Sequence, residues 1–353
     1  VFELARHLTW RDREIALCLY DHQVLSTDQL RLLFFSSKRR CQDRLLFLYR
    51  HRVLDRFYPP GPFGSGKPQA HWLLDEAGAI LVAASMGVER KQLGWSRRDD
   101  WGSHRQLAHR LEANQFVCEL IAATLPDTRI GVTAWESTRR AAERLDCRRL
   151  VRPDASLILD VPSGPIECFL EWDRATETQA RLAEKIEHYQ VAEARLHDET
   201  QMCSVLFVVP GHGRIDTLRR AYEELEPKRE RHRQDSSLVN LDGRWPIRAT
   251  TTTTLHDAGP LGTVWESIAD PIQPPVALDA LPVSHALGPA DLACALGRRW
   301  RYERPGFWDR LSPLHRRPQD PGDCTVEDLK PTGGSDLIDQ SHSYDDYERE
   351  AIP

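Results

Sequence analysis

The stretch that most constrains this chain runs from Arg152 to Tyr189, RPDASLILDVPSGPIECFLEWDRATETQARLAEKIEHY. Two apolar runs, Ala155–Leu159 and Ile166–Leu170, flank the turn Val161-Pro-Ser-Gly-Pro165. Apolar runs bounded by turn residues predict strands, here a hairpin centred between Pro162 and Ser163. In an unbulged antiparallel pair, facing positions keep a constant sum, which sets Asp154 opposite Glu171. Facing Cβ atoms lie roughly 5 Å apart, close enough for two carboxylates to share a divalent cation. A helix is predicted to follow at about 178–196, where Arg181, Lys185 and Tyr189 recur every fourth residue on one face. Paired acids at strand ends beside a basic helical face suit phosphodiester chemistry.

The surroundings bound the reading. A chain of 353 residues has room for two domains and a tail. No apolar run reaches the roughly 20 residues of a membrane helix, and the charged start VFELARHLTWRDRE lacks the apolar core of a signal peptide, so a cytoplasmic location is expected. The eight cysteines include no Cys-x-x-Cys pair and read as reduced core residues. The net charge of −6 hides an asymmetry. Residues 1–110 carry 18 Lys and Arg against 12 Asp and Glu, while residues 318–353 carry 2 against 10. A basic front predicts a polyanionic partner.

That front reads as three helices and two strands. Thr9-Trp-Arg-Asp12 resembles a capping box opening the first helix, and Ser26 or Thr27 caps a second. The third, about residues 38–51, puts Cys41, Leu45 and Leu48 on its apolar side and Lys38, Arg39, Arg40, Arg44 and Arg50 on the remainder. Strands at 53–58 and 70–74 then flank a Pro/Gly-rich loop, and a helix covers 76–85. This is the winged helix-turn-helix order. It predicts double-stranded DNA as partner, with the third helix in the major groove and Arg56 and Lys67 of the wing on the backbone. Gly61-Pro-Phe-Gly-Ser-Gly-Lys67-Pro68 imitates a phosphate-binding loop, but Pro68 stands where Ser or Thr must reach Mg²⁺, so no nucleotide site is expected.

Residues 87–102 read as a linker. Beyond it come a long helix (103–125), a strand (130–136), a short helix (138–145), the hairpin, its helix, the buried strand SVLFVV (204–209) and another helix (215–225). The order helix, strand, strand, strand, helix, strand resembles the restriction-endonuclease-like, or PD-(D/E)xK, core. Pro153-Asp154 and Glu171-Trp172-Asp173 fall where that motif belongs, with Asp173 standing in the place of the usual Lys. The resemblance implies a mixed α/β fold, with Asp154, Glu171, Asp173 and Lys185 as catalytic candidates. Lys185 supplies the ammonium from the helix, and Arg181 grips a neighbouring phosphate. Asp154 and Glu171, with Glu112 as third ligand, would hold Mg²⁺ or Mn²⁺.

The whole arrangement, over about residues 5–270, resembles the replication-relaxation family of plasmids and integrative mobile elements. The resemblance rests on LTWRDREIALCLYDHQVLSTDQLRLLFF, on His109 and Asn114 in the long helix, on RPDASLIL, on FLEWDRATETQARLAEKIEHY, and on the stretch from Thr250 to Trp265. It implies a role in plasmid replication, DNA relaxation or transfer, with a relaxase or replication protein as a further partner. Two functions stay open: a metal-dependent endonuclease targeted by the front module, and a non-enzymatic DNA-binding accessory that recruits another enzyme. A tyrosine relaxase needs clustered histidines, and His212 stands alone in a turn. The expected division is 1–86 winged helix, 87–102 linker, 103–270 nuclease-like domain and 271–353 a Pro-rich, acidic, mobile tail. WPIRATTTTTL, 245–255, reads as either a further strand or a linker.

Overall fold

A computed structural model describes residues 6–59, 68–97, 104–126, 129–144, 151–196, 203–225 and 245–284. Lys67 and most of the predicted acidic tail lie outside the described residues. The chain is mixed α/β, with a three-stranded and a six-stranded sheet. Helix α1, Trp10–His22, opens as its capping box predicts: Asp12 accepts from the Thr9 amide at 2.6 Å and the Thr9 hydroxyl at 2.7 Å. Ser26, in the two-residue strand β1, Leu25–Ser26, caps α2, Thr27–Phe34, by accepting from the Gln29 amide at 3.2 Å. Helix α3, Lys38–Arg50, buries Cys41, Leu45 and Leu48, the side its periodicity marks.

Strands β2, Leu54–Phe57, and β3, His71–Leu74, pair antiparallel, and β3 also takes β1 on its other edge. Helix α4, Glu76–Met86, starts at Asp75 and packs back onto β2. Gly78 makes that approach possible, because a Cβ there would sit 2.2 Å from the Val53 carbonyl oxygen. The expected linker is in part packed structure. A 3₁₀ turn over Arg90–Leu93 buries Leu93, whose carbonyl accepts from the Tyr20 hydroxyl at 2.7 Å.

Helix α5, His104–Thr124, leads into the large sheet. Its strands lie in chain order: β4 (Gly131–Ser137), β5 (Ala155–Val161), β6 (Gly164–Trp172), β7 (Cys203–Val209), β8 (Ile247–Thr251) and β9 (Glu266–Ser267). The first three form an antiparallel meander, while β6, β7 and β8 run parallel. Helix α6, Thr138–Arg144, follows β4; α7, Gln179–Leu196, connects β6 to β7; and α8, His212–Glu223, connects β7 to β8. The hairpin register is the predicted one, Ala155 facing Leu170 and Leu159 facing Ile166. Every residue of β7 is buried, as a parallel strand covered on both faces must be. Val205, Phe207 and Val209 point into the layer shared with α7 and α8, while Leu206 and Val208 point into the other. Burying one such side chain contributes about 1.5–3 kcal/mol.

That second layer joins α5 to the front module, so one continuous core runs from Ile15 and Leu45 to Leu157 and Leu206. Polar ties reinforce it. Gln29 donates to the Leu111 carbonyl at 2.8 Å, and buried Asn114 donates to the Val24 carbonyl at 3.4 Å. Asp21 accepts from Ser137 at 2.8 Å and pairs with Arg140 at 2.7 Å. His22 stacks on Trp135, ring centroids 3.6 Å apart, and burial pushes its pKa down to about 4.

Two expectations about the C-terminal part need correcting. The Thr run is neither one strand nor a linker. Its first residues complete β8, then Thr251 caps a helix, α9, Thr252–Ala258, by accepting from the Thr254 amide at 3.0 Å. The chain from 271 to 284, expected as the start of the tail, is packed structure. Val276 bridges Trp265, Leu278 and Leu281 are buried in the core, and the Ser284 amide donates to the Pro165 carbonyl at 2.7 Å. The five cysteines among the described residues are buried and form no disulfide. No described helix is long and apolar enough to cross a membrane.

Candidate functional site

The predicted acids meet at one end of the large sheet. Asp154 immediately precedes β5, and its amide donates at 2.8 Å to the carbonyl of Leu170, the residue already opposite Ala155, so the regular ladder stops one step short of Glu171. At the strand end, Asp154 is reached from two sides. Its Oδ2 accepts from the Trp172 amide at 2.8 Å and lies 3.0 Å from His109 Nε2 of α5. Glu171 shares the parity of Phe169 and faces α7. There Lys185 Nζ sits 3.0 Å from Glu171 Oε2, and the Tyr189 hydroxyl donates to Oε1 at 2.5 Å. Lys185 also pairs with Glu177 at 3.0 Å. Tyr189 packs beneath the helix, its ring stacked on Phe169 at 6.0 Å, yet its hydroxyl orients Glu171.

The electrostatics follow from burial. Desolvation pushes the Glu171 carboxyl up to about 7; Lys185 opposes that shift and the Asp154 charge adds to it. Burial alone would lower the Lys185 pKa, but the Glu171 and Glu177 carboxylates reverse the sign and leave it raised. His109 is raised, mainly by its hydrogen bond to Asp154. Burial and the Glu171 charge hold the Tyr189 phenol well above its ordinary range. The centre thus pairs each acid with a basic group: Asp154 with His109 and Glu171 with Lys185.

Other predicted residues go elsewhere. Glu112 accepts from the Trp172 indole at 3.0 Å and pairs with Arg174 at 3.3 Å. Among the described residues no three His, Cys, Asp or Glu side chains gather as a metal-ligand set, so Glu112 is not collected with Asp154 and Glu171 as a third ligand. Asp173 is not turned to the centre either. It is buried in a two-pronged ion pair with Arg214 of α8, Nη2 to Oδ1 at 3.2 Å. Its Oδ1 also accepts from the Ala175 amide at 2.8 Å, holding a turn in which Ala175 has φ 55°. Arg181 is exposed and pairs with Glu184 at 2.5 Å. His212 is exposed beside Glu266 at 3.6 Å. Arg214 and Trp172 have no sequence signal as site residues: Arg214 meets Asp173 across 41 positions, and Trp172 contributes through its backbone.

On the front module Lys38, Arg39, Arg40 and Arg50 are exposed along α3; Arg39 reaches Asp43 only at 3.8 Å. Arg44 leaves this set. Its guanidinium is forked onto the fully buried Asp12, Nε to Oδ1 at 2.8 Å, and donates to the His7 carbonyl at 2.7 Å. Arg56 lies against the rings of Tyr49, Tyr58 and Trp72. Lys67 is outside the described residues.

Geometry therefore defines a mixed α/β protein whose six-stranded sheet ends in a partly buried acid–base cluster and shares its core with a basic, helix-rich front. The replication-relaxation family model matches residues 17–205, more than half the chain and all of His109, Asp154, Glu171 and Lys185. The chain belongs to the replication-relaxation family. Membership suggests a role in plasmid replication or relaxation. Curated proteins gave no match, and neither did solved structures.

Proposed function

We propose that this chain binds double-stranded DNA through a winged helix-turn-helix front and acts on the phosphodiester backbone through a restriction-endonuclease-like core, as a cytoplasmic component of a replication or relaxation system. The observation that carries the proposal is Lys185 Nζ 3.0 Å from Glu171 at a strand end where Asp154 lies near enough for its charge to raise the Glu171 carboxyl. An antiparallel meander followed by a parallel strand across a helix supports the nuclease-like reading of the core. Three helices followed by a two-stranded antiparallel ribbon support the winged-helix reading of the front.

The donor set fits a hard divalent cation in kind, because two carboxylates are the ligands Mg²⁺ and Mn²⁺ take. Asp154 and Glu171 would hold it. Such a cation supplies Lewis-acid polarisation of a phosphodiester oxygen and lowers the pKa of water. The chain's own residues do the rest. Lys185 places an ammonium where charge develops on the phosphate, Tyr189 fixes the rotamer of Glu171, and the Trp172 amide fixes Asp154. His109, raised by Asp154, is a proton donor at the edge of the centre.

The test is nicking of supercoiled plasmid in Mg²⁺ or Mn²⁺. Activity lost in Asp154→Asn and in Glu171→Gln, with DNA affinity retained, is the expected result. One observation favours a second reading, a DNA-binding accessory that recruits a relaxase or replication protein: the position of the usual lysine holds Asp173, locked to Arg214. Wild-type protein that binds DNA and nicks under no divalent condition would select that reading.

A further inference from the structure

The described residues leave four large hydrophobic side chains exposed, and two of them, Tyr49 at 37% and Tyr58 at 43%, flank one arginine. Tyr49 lies near the end of α3 and Tyr58 follows β2. Between them the Arg56 guanidinium lies 4.7 Å from the Tyr49 ring centroid and 5.5 Å from that of Tyr58, with Trp72 behind it at 5.8 Å. Trp72 is itself buried and anchored, its indole donating to Thr27 Oγ1 at 2.9 Å. The carboxylate nearest in sequence, Asp55, is spent on Arg97 at 2.8 Å, and among the described residues no carboxylate pairs with Arg56. An arginine stacked on aromatic rings keeps its in-plane donors available. Arg50, also exposed, adds positive charge beside Tyr49.

Exposed rings held by a cation that pairs with no described carboxylate match one ligand chemistry, a flat base attached to a phosphate. We infer that Tyr49, Arg56 and Tyr58 form a stacking platform for an unpaired nucleotide of single-stranded DNA. The phosphate is held by Arg56 and Arg50, and the base lies on a tyrosine face. Stacking of this kind is sequence-tolerant because every base has a π face. The platform sits at the C-terminal end of the basic helix, so a protein that holds duplex on α3 would meet unpaired bases beside it. The inference therefore rests on the duplex reading for its placement, but not for its chemistry. It gives the front module a preference for junctions between duplex and single strand, such as a nicked or melted site.

The test uses the full chain and fluorescently labelled DNA of three kinds: a blunt duplex, the same duplex with a single-stranded tail, and the tail alone as oligo(dT). The tail should tighten binding by about tenfold, the scale of stacking one base on an aromatic ring. Tyr49→Ala with Tyr58→Ala should remove that gain and leave blunt-duplex affinity unchanged, and Tyr→Phe at both positions should keep it. An abasic tail with the same phosphates should give no gain. Equal binding of tailed and blunt duplex, or an abasic or polyglutamate competitor as effective as oligo(dT), would overturn the platform. If blunt duplex fails to bind while oligo(dT) binds in a tyrosine-dependent manner, the duplex reading fails and the platform stands.

Discussion

Glu171 Oε2 and Lys185 Nζ stand 3.0 Å apart, the glutamate nearly sealed from solvent and the lysine partly open to it. A strand residue and a helix residue fourteen positions apart are thereby joined by one ion pair, with Tyr189 donating to the other carboxylate oxygen. Burial and attraction compete here. Burial wins at Glu171, whose carboxyl is raised to about 7, and attraction wins at Lys185, which stays protonated.

A pH-dependent stability follows. An acid with a folded pKa of about 7 and an ordinary value of 4.5 holds its proton more tightly when folded. Its contribution is present below 4.5 and is lost as pH rises to about 7. Glutamine has no proton to lose. The stability of Glu171→Gln relative to wild type should therefore rise between pH 4.5 and 7, by on the order of 3 kcal/mol. Urea unfolding at pH 5 and pH 8 checks it, and a difference independent of pH would place the Glu171 carboxyl in its ordinary range.

His109 should titrate above its ordinary 6.5, because its largest influence is the hydrogen bond it makes to Asp154. Its stabilising contribution is present below 6.5 and fades as pH passes through the raised value. In Asp154→Asn both raising effects of Asp154 are gone and burial is the largest influence left on the ring, ahead of the opposed Glu171 and Lys185 charges, so the NMR-detected pKa should fall. If Asp154 takes Mg²⁺, adding the ion to wild type should lower the His109 pKa as well. A value indifferent to saturating Mg²⁺ would remove Asp154 from the ligand set.

The hairpin and its register were legible because one proline-bearing turn and two apolar runs leave a single alignment that buries both. The same alignment brings Asp154 and Glu171 to adjacent strand ends, but the regular pairs stop at Ala155 and Leu170, and Asp154 leaves the register by donating to Leu170. Partners distant in sequence were not legible. Arg44 has the spacing of an exposed helical arginine, but its carboxylate arrives from Asp12, 32 positions earlier. The helix Thr252–Ala258 hides in β-branched residues, since what starts it is one hydroxyl cap and not a helical propensity. The segment to Ser284 reads as tail because the apolar residues that pack it, Val276, Leu278, Leu281 and Val283, are too few and too irregularly spaced to show a period.

Asp173 should prove structural. Arg214→Met leaves a buried carboxylate without its cation, a loss on the order of 3 kcal/mol. Removing both charges, as Asp173→Asn with Arg214→Met, should recover most of that loss. Neither change touches the Asp154–Glu171 pair, so any nicking per folded molecule should persist. Thermal denaturation of wild type and the two variants checks the first part. A double variant no more stable than Arg214→Met would show that Asp173 contributes chiefly through the turn it holds at Ala175.

The front module separates two kinds of arginine. Lys38, Arg39 and Arg40 are exposed at the start of α3, and replacing all three by alanine should leave the melting temperature unchanged. If they touch phosphates, DNA affinity should fall by more than tenfold, and the slope of log K against log salt should shrink by about 0.9 for each phosphate no longer neutralised. Arg44→Ala should do the opposite. Its partner Asp12 is fully buried, so the charge left behind costs on the order of 2–3 kcal/mol of stability, while the salt slope stays as in wild type. Fluorescence anisotropy across a salt series, paired with melting curves, distinguishes the two. A salt slope reduced by Arg44→Ala would mean that the Asp12 fork opens to reach DNA.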